Sequence, residues 1–295
     1  MTEAIYPRIA YQGVPGAYSE EALAAFRPDA DRISGRTLQD VFTMLDAGEV
    51  DYAFVPVENS HAGSVVEAYD LMLDFPVHVQ GEWIQPVNHY LLGVEGATPG
   101  GVERVFSHPQ ALAQTAAFLR QASLQVEPYY DTAGAAQMVA ERRDPRFAAV
   151  AGRLAGERYG LVVLAEGIQT QADNATRFFL LARGGWSAES TVQSDLPGKT
   201  AIVFAVEHNP GALVRGLTVF SRERVNLARL ESRPSRQRPW EYMFFADLEG
   251  YETEPSIHRA LRELRRLEPF VRVLGSFPQP EALRAVSTET DVVAS

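Results

Sequence analysis

The chain has 295 residues, 46% hydrophobic and 22% charged, a globular composition that excludes a fully disordered chain. Its net charge of −11 argues against a protein of nucleic acid or anionic membranes, so any anion site must be made locally positive by an Arg, a helix N-terminus or backbone N–H groups. There is no cysteine, which excludes disulfides, thiolate nucleophiles and Cys-ligated metal.

At roughly 100–200 residues per domain, two domains are expected. No run of about 20 apolar residues is present to span a bilayer, and the N-terminus lacks the apolar core of a signal peptide. A cytoplasmic address is expected. In chain order, residues 8–12 read as a strand, followed by a Gly-Pro-containing turn and a helix over 20–26 with Ser19 as its cap. Thr37 with Asp40 opens a second helix that Gly48 stops. Residues 51–57 read as a strand, 63–75 as helical, and 77–94 as one or two extended segments. A short strand at 104–106 leads into a helix over 109–121; a strand at 125–130 and a helix at 132–142 follow. The alternation continues with a strand at 147–150, a helix near 153–159 and a strand at 177–181. Residues 184–198, rich in Gly and Ser, read as a linker. Beyond it strands at 200–206, 225–230, 242–248 and 271–275 alternate with helices at 211–221 and 256–267, the βαββαβ order of ferredoxin-like domains.

The chemistry begins with what is missing. None of the six histidines is arranged as H-x-H or H-E-x-x-H, and no phosphate-binding or nucleophile-elbow motif occurs. Four polar clusters stand at predicted strand ends, where α/β proteins place their sites. Glu58-Asn59-Ser60-His61 reads either as a hydrophilic loop with a cap or as neutral donors aimed at a ligand. Ser107-His108-Pro109-Gln110 with Gln114 puts two amides on one helix face, which lines either a pocket or the surface. Asp131-Thr132-Ala133-Gly134 lets a helix N-terminus approach closely, to a ligand or to packed backbone. Asn174-Ala175-Thr176-Arg177-Phe178 sets a fixed cation beside a hydroxyl. Together these describe a cleft of neutral hydrogen-bonders with one strong cation, suited to a small carboxylate-bearing ligand.

The stretches GVPGAYSEEA, PVENSHAGSV, FSHPQALAQ, YDTAGAA and NATRF, in this order, resemble the prephenate dehydratase family. NPGAL at Asn209, Pro210, Gly211, Ala212 and Leu213, and ESRP at Glu231, Ser232, Arg233 and Pro234, resemble the effector-binding elements of its regulatory ACT domain. The resemblance implies a two-lobed, type 2 periplasmic-binding-protein-like α/β catalytic domain over residues 1–184, crossed twice near Gln85 and Gln169. A linker over 185–198, a ferredoxin-like ACT domain over 199–278 and a tail over 279–295 follow. It further implies Thr176, Asn59, Ser107 and Gln114 as catalytic residues. Arg177, Phe178, Ser60, His108, Gln110 and Thr132 are implied to bind substrate. No metal and no cofactor are implied. Prephenate is the expected substrate, L-phenylalanine the expected effector, and a homo-oligomer built on ACT dimers the expected assembly. Arogenate dehydratase shares the motifs, and a catalytically silent carboxylate sensor is the third possibility; the lack of a visible transit peptide speaks against a plant-like form, and intact Thr176 and Asn59 speak against a sensor. Thr115 stands where the family often has Cys, and Ala17 where Thr is frequent.

Overall fold

The computed structural model describes residues 6–171, 173–192, 195–234 and 242–279. The chain divides into two compact units, one reaching to Leu71 and resuming over Ile84–Phe178, the other comprising Met72–Trp83 and the chain from Phe179 onward.

In the first unit the order is β1 (Arg8–Gln12), α1 (Tyr18–Phe26), β2 (Asp31–Gly35), α2 (Leu38–Ala47), β3 (Tyr52–Asn59), β4 (Gly63–Ser64) and the start of α3 (Val66–Asp74). Helix α2 forms because its ends are satisfied. The Asp40 N–H donates to Thr37 Oγ1 at 3.1 Å, the Thr37 N–H donates to Asp40 Oδ2 at 3.0 Å, and Gly48 closes the helix at φ 72. Leu38, Val41, Phe42 and Leu45 then fall on one buried face. Helix α1 starts at Tyr18 rather than at residue 20. Its cap is Ala17, without a side-chain bond, so Ser19 lies inside the helix and not at its end. Strand β1 pairs in parallel with both β2 and β3. Phe54 stacks on Phe26 and on Phe178, which fixes the far side of this sheet.

After β5 (Val77–Pro86) the chain enters a second sheet through β6 (Tyr90–Gly93). There follow β7 (Arg104–Ser107), α4 (Pro109–Gln114), α5 (Ala116–Gln121), β8 (Gln125–Pro128), α6 (Thr132–Arg142), β9 (Phe147–Ala151), α7 (Arg153–Tyr159) and β10 (Val162–Glu166). The strand order is β10-β6-β9-β7-β8. The single helix expected over 109–121 is broken at Thr115, whose φ of −107 and ψ of 7 leave the helical region. Its hydroxyl donates to the Ala111 carbonyl at 2.8 Å. The chain returns to the first sheet through β11 (Ala175–Arg183). The two passages between the sheets therefore lie between Pro86 and Tyr90 and between Glu166 and Ala175.

The second unit contains β12 (Gly198–Ala205), α8 (Ala212–Arg222), β13 (Leu227–Pro234), β14 (Tyr242–Glu249), α9 (Pro255–Leu267) and β15 (Phe270–Pro278), in βαββαβ order. Its strands lie β13-β14-β12-β15, and Ile202, Phe204, Phe220, Leu261 and Leu264 are among its core. Val79 of β5 pairs with Gly275 of β15. A Cβ on Gly275 would lie 2.7 Å from Val79 Cβ, so only glycine permits this approach. Glu82 of β5 meets Lys199 of β12 in a buried ion pair of 2.6 Å. Residues 193–194 of the expected linker and residues 280–295 of the expected tail lie outside the described residues.

Candidate active site

The site begins with an asparagine whose bonding capacity is filled. Asn59 ends β3, and its Oδ1 accepts the backbone N–H groups of His61 at 3.1 Å and Ala62 at 3.0 Å. Its Nδ2 donates to Asn174 Oδ1 at 2.8 Å, to the Ala175 carbonyl at 3.1 Å and to Thr176 Oγ1 at 3.1 Å. Ser60 secures the same join. Its N–H donates to the Ala175 carbonyl at 2.9 Å, and its Oγ accepts the Ala175 N–H at 3.0 Å. The loop after β3 and the start of β11 are thus held as one piece, with Thr176 presented from it. Since the Thr176 oxygen accepts from Asn59, its own proton is left for another acceptor.

A cavity of about 220 Å³ lies in front of this piece. Asn59, Asn174 and Thr176 form one wall; His108, Gln110, Gln114 and Thr132 form the facing wall, with Tyr18 and His89 beside them. Gln110, Gln114 and Asn174 also line an adjoining cavity of about 550 Å³, which reaches His61 and Arg120. His61 Nε2 lies 3.1 Å from Asp173. Helix α6 starts at the smaller cavity, where the Asp131 side chain caps it by accepting the Gly134 N–H at 2.5 Å. His108 caps α4, accepting the Gln110 N–H on Nδ1 at 3.2 Å.

Four expected site residues, Arg177, Phe178, Ser107 and Ser60, are not brought to this cavity. Arg177 follows Thr176 on a strand, so the two side chains take opposite faces. Its guanidinium donates to Glu58 Oε2 at 3.3 Å and is largely buried there. Phe178 belongs to the core, stacked on Phe54 with ring centroids 4.7 Å apart. Ser107 is fully buried, and its hydroxyl donates to the Val150 carbonyl at 2.6 Å. Ser60, likewise, ties backbone rather than lining either cavity. Thr176, Asn59, Gln114, His108, Gln110 and Thr132 do come together.

The sequence does not single out Tyr18 or His89, and it places Asn174 and Asp131 in polar clusters without giving either a role of its own. His89 fits no metal-ligand spacing, and its signal in the sequence is a polar residue directly before an apolar strand at a crossing. It is 1% exposed, and burial holds its pKa below 6.5, so the imidazole is neutral. Burial, helped by Glu21 and Tyr90, pushes the Tyr18 phenol well above 10.0 and keeps it protonated. Asn174 is 2% exposed, and its Nδ2 makes no hydrogen bond among the described residues. The smaller cavity has no Arg or Lys in its wall among the described residues. The α4 and α6 N-termini, capped by His108 and Asp131, lie at this wall, and Arg120 stands in the wider neighbour.

In the second unit a cavity of about 440 Å³ is lined by Asn209, Pro210, Gly211, Ala212 and Leu213, with Tyr242 and Phe244 opposite. Glu231, Ser232, Arg233 and Pro234 lie on β13 and do not line it; Ser232 and Pro234 pair in register with Phe244 and Tyr242. Glu231 forms an ion pair with Arg229.

A cleft between two α/β sheets, crossed twice by the chain and walled by neutral hydrogen-bonders, defines a periplasmic-binding-protein-like fold carrying a site for a small polar ligand. The profile of the family "Prephenate dehydratase" matches residues 9–185. An Arabidopsis thaliana protein named arogenate dehydratase/prephenate dehydratase 2, chloroplastic, is 39% identical over 285 residues, spanning 92% of this chain and 72% of that protein. A prephenate dehydratase from Arthrobacter aurescens, solved in complex with L-Phe, is 29% identical with a TM-score of 0.84, covering 97% of this chain and 99% of that one. A structure described as a novel type of quorum quenching acylase is 33% identical with a TM-score of 0.86, covering 94% and 100%. The chain belongs to the prephenate dehydratase family.

Proposed function

We propose that the protein converts prephenate and a proton to phenylpyruvate, carbon dioxide and water, and that the cleft around Thr176 carries the reaction. The C–C bond to the ring carboxylate breaks and its electron pair enters the ring. The C–O bond to the ring hydroxyl breaks as the ring becomes aromatic, and the departing hydroxide takes up the proton. Aromatisation supplies the driving force, so the chemistry asks only for orientation and for help to the leaving oxygen. The observation that carries this reading is the bond from Asn59 Nδ2 to Thr176 Oγ1 at 3.1 Å, which leaves the threonine O–H free to meet the leaving hydroxyl. A threonine is too weak an acid to protonate it outright, so its role is electrostatic. The helix N-termini at His108 and Asp131, with the amides, hold the substrate's carboxylates. Arg120 serves a carboxylate extending into the wider cavity.

Arogenate is a second substrate this reading admits. The relatives carry both names, and Asp131, the one carboxylate lining the smaller cavity among the described residues, is a partner for an ammonium group. An acylase would need an activated nucleophile or water. In this cavity both His89 nitrogens are engaged by protein side chains, and the Ser107 hydroxyl is spent on backbone.

The cavity at Gly211 and Leu213 is proposed to take phenylalanine, with backbone groups holding its charged ends and Tyr242 and Phe244 against its ring. Residues 199–278 act here as an ACT regulatory domain after a linker at 185–198, and Glu231–Pro234 of a second copy complete the site in a dimer. A cytoplasmic address completes the reading. No helix among the described residues is long and apolar enough to cross a membrane. The test is phenylpyruvate formation by the purified protein from prephenate, with arogenate in parallel, each with and without L-phenylalanine, alongside sedimentation for the dimer.

A further inference from the structure

Beside the substrate wall runs a three-residue chain that joins two motif residues, Tyr18 and Gln114, through His89, which lies in none of the motifs. The Tyr18 hydroxyl lies 2.6 Å from His89 Nδ1, and His89 Nε2 lies 2.7 Å from Gln114 Oε1. The rings of Tyr18 and His89 meet edge to face with centroids 5.6 Å apart. His89 is buried on every side, and its own N–H is fixed by Gln169 Oε1 at 3.0 Å.

The proton positions follow from the partners. An amide oxygen can only accept, so the proton of the neutral imidazole sits on Nε2. Nδ1 is then bare and accepts from Tyr18. The phenol's other acceptor within reach is the Asn88 carbonyl at 3.3 Å, a much longer approach. With Oε1 tied to His89, the Gln114 side-chain nitrogen makes no hydrogen bond among the described residues, at the wall shared by both cavities.

We propose that Tyr18 and His89 are positioning residues. They fix the Gln114 amide with its oxygen inward and its two N–H groups toward an anionic oxygen of the bound substrate. A neutral donor is the group this reaction needs there, since a guanidinium would overstabilise a carboxylate that must leave as carbon dioxide. This deepens the dehydratase reading and rests on it.

Kinetics of paired variants test it. His89→Asn keeps a group facing Tyr18 but loses the donor to Gln114; His89→Gln keeps a donor where Nε2 stood. His89→Asn and Gln114→Ala should each lower kcat about tenfold with little change in KM, equivalent to ~1.4 kcal/mol. The double variant should be no slower than Gln114→Ala alone, and His89→Gln should recover most of the loss. Equal losses for His89→Asn and His89→Gln, or losses that multiply in the double variant, would overturn the proposal. If His89→Asn does not fold, the isosteric Tyr18→Phe carries the test through a kcat about threefold lower at unchanged KM; an unchanged kcat there refutes it. A wild-type protein inactive on both prephenate and arogenate defeats the dehydratase reading instead. The long-range nitrogen–proton spectrum of the imidazoles then decides the lock alone: Nε2–H with a bare Nδ1 that shifts in Tyr18→Phe supports it, and Nδ1–H overturns it.

Discussion

Replacing Thr176 by valine removes one hydroxyl and preserves the β-branched shape that β11 holds at this point. In the folded protein the loss is small, because Asn59 Nδ2 keeps Asn174 Oδ1 at 2.8 Å and the Ala175 carbonyl at 3.1 Å. No buried donor is orphaned, and the stability change should stay near ~1 kcal/mol, the net worth of one hydrogen bond. In the proposed mechanism the same hydroxyl faces the charge developing in the transition state, in a site with no Arg or Lys in its wall among the described residues, where removal of one aimed donor costs about 10²–10³ in kcat, or ~2.7–4 kcal/mol. The assay follows phenylpyruvate formation at saturating prephenate, with the melting temperature and KM measured on the same samples. Near-wild-type melting, a similar KM and a kcat down at least a hundredfold are expected. A kcat within threefold of wild type would remove the Thr176 hydroxyl from the reaction, and a fall in melting temperature matching the loss of activity would reduce it to a structural role.

Three further outcomes follow from the same geometry. Lys199→Met removes one partner of the Glu82 carboxylate from a buried pair of 2.6 Å and should lower stability by denaturant unfolding, whereas Lys199→Met with Glu82→Leu should recover most of it; equal losses in single and double variants would refute the pairing account. Gly275→Ala drives a Cβ to 2.7 Å from Val79 Cβ and should lower the melting temperature more than an alanine at exposed Gly100, where nothing lies within 4 Å. Burial holds the His89 pKa below 6.5, so below that pH the unfolded chain binds a proton that the folded protein refuses. Its contribution to stability is complete above pH 6.5 and is lost as pH falls, so acid should lower the melting temperature of the wild type more steeply than that of His89→Gln; parallel slopes would contradict this.

Much of the fold could be read from the residues because local signals agreed with tertiary ones. Thr37, Asp40 and Gly48 mark both ends of α2, and the apolar periodicity between them marks its buried face. Residues 132–142 and 153–159 were read with the bounds the structure has. The failures have local causes. Thr115 breaks a helix through its hydroxyl bond to Ala111, a backbone event that apolar spacing over 109–121 does not register. Strands β2 and β10 were missed, since Asp31–Gly35 is polar with little alternation and Val162–Glu166 leaves its valines exposed at a sheet edge. At the site, the structure brings Asn59, Gln114 and Thr176, which motif order groups, to the wall of one cavity. Motif order also groups Arg177 with them, whereas the structure sets its guanidinium on Glu58, as period-two alternation from Thr176 requires. His89 lay in no motif used, and only its burial between Tyr18 and Gln114 reveals it.

The most direct test of the whole account is the conversion of prephenate by the purified protein, read as phenylpyruvate, beside the Thr176→Val variant and a parallel incubation with arogenate. The account predicts turnover by the wild type that falls at least a hundredfold in the variant. Wild-type protein that turns over neither substrate, or a variant that keeps the wild-type rate, would contradict it.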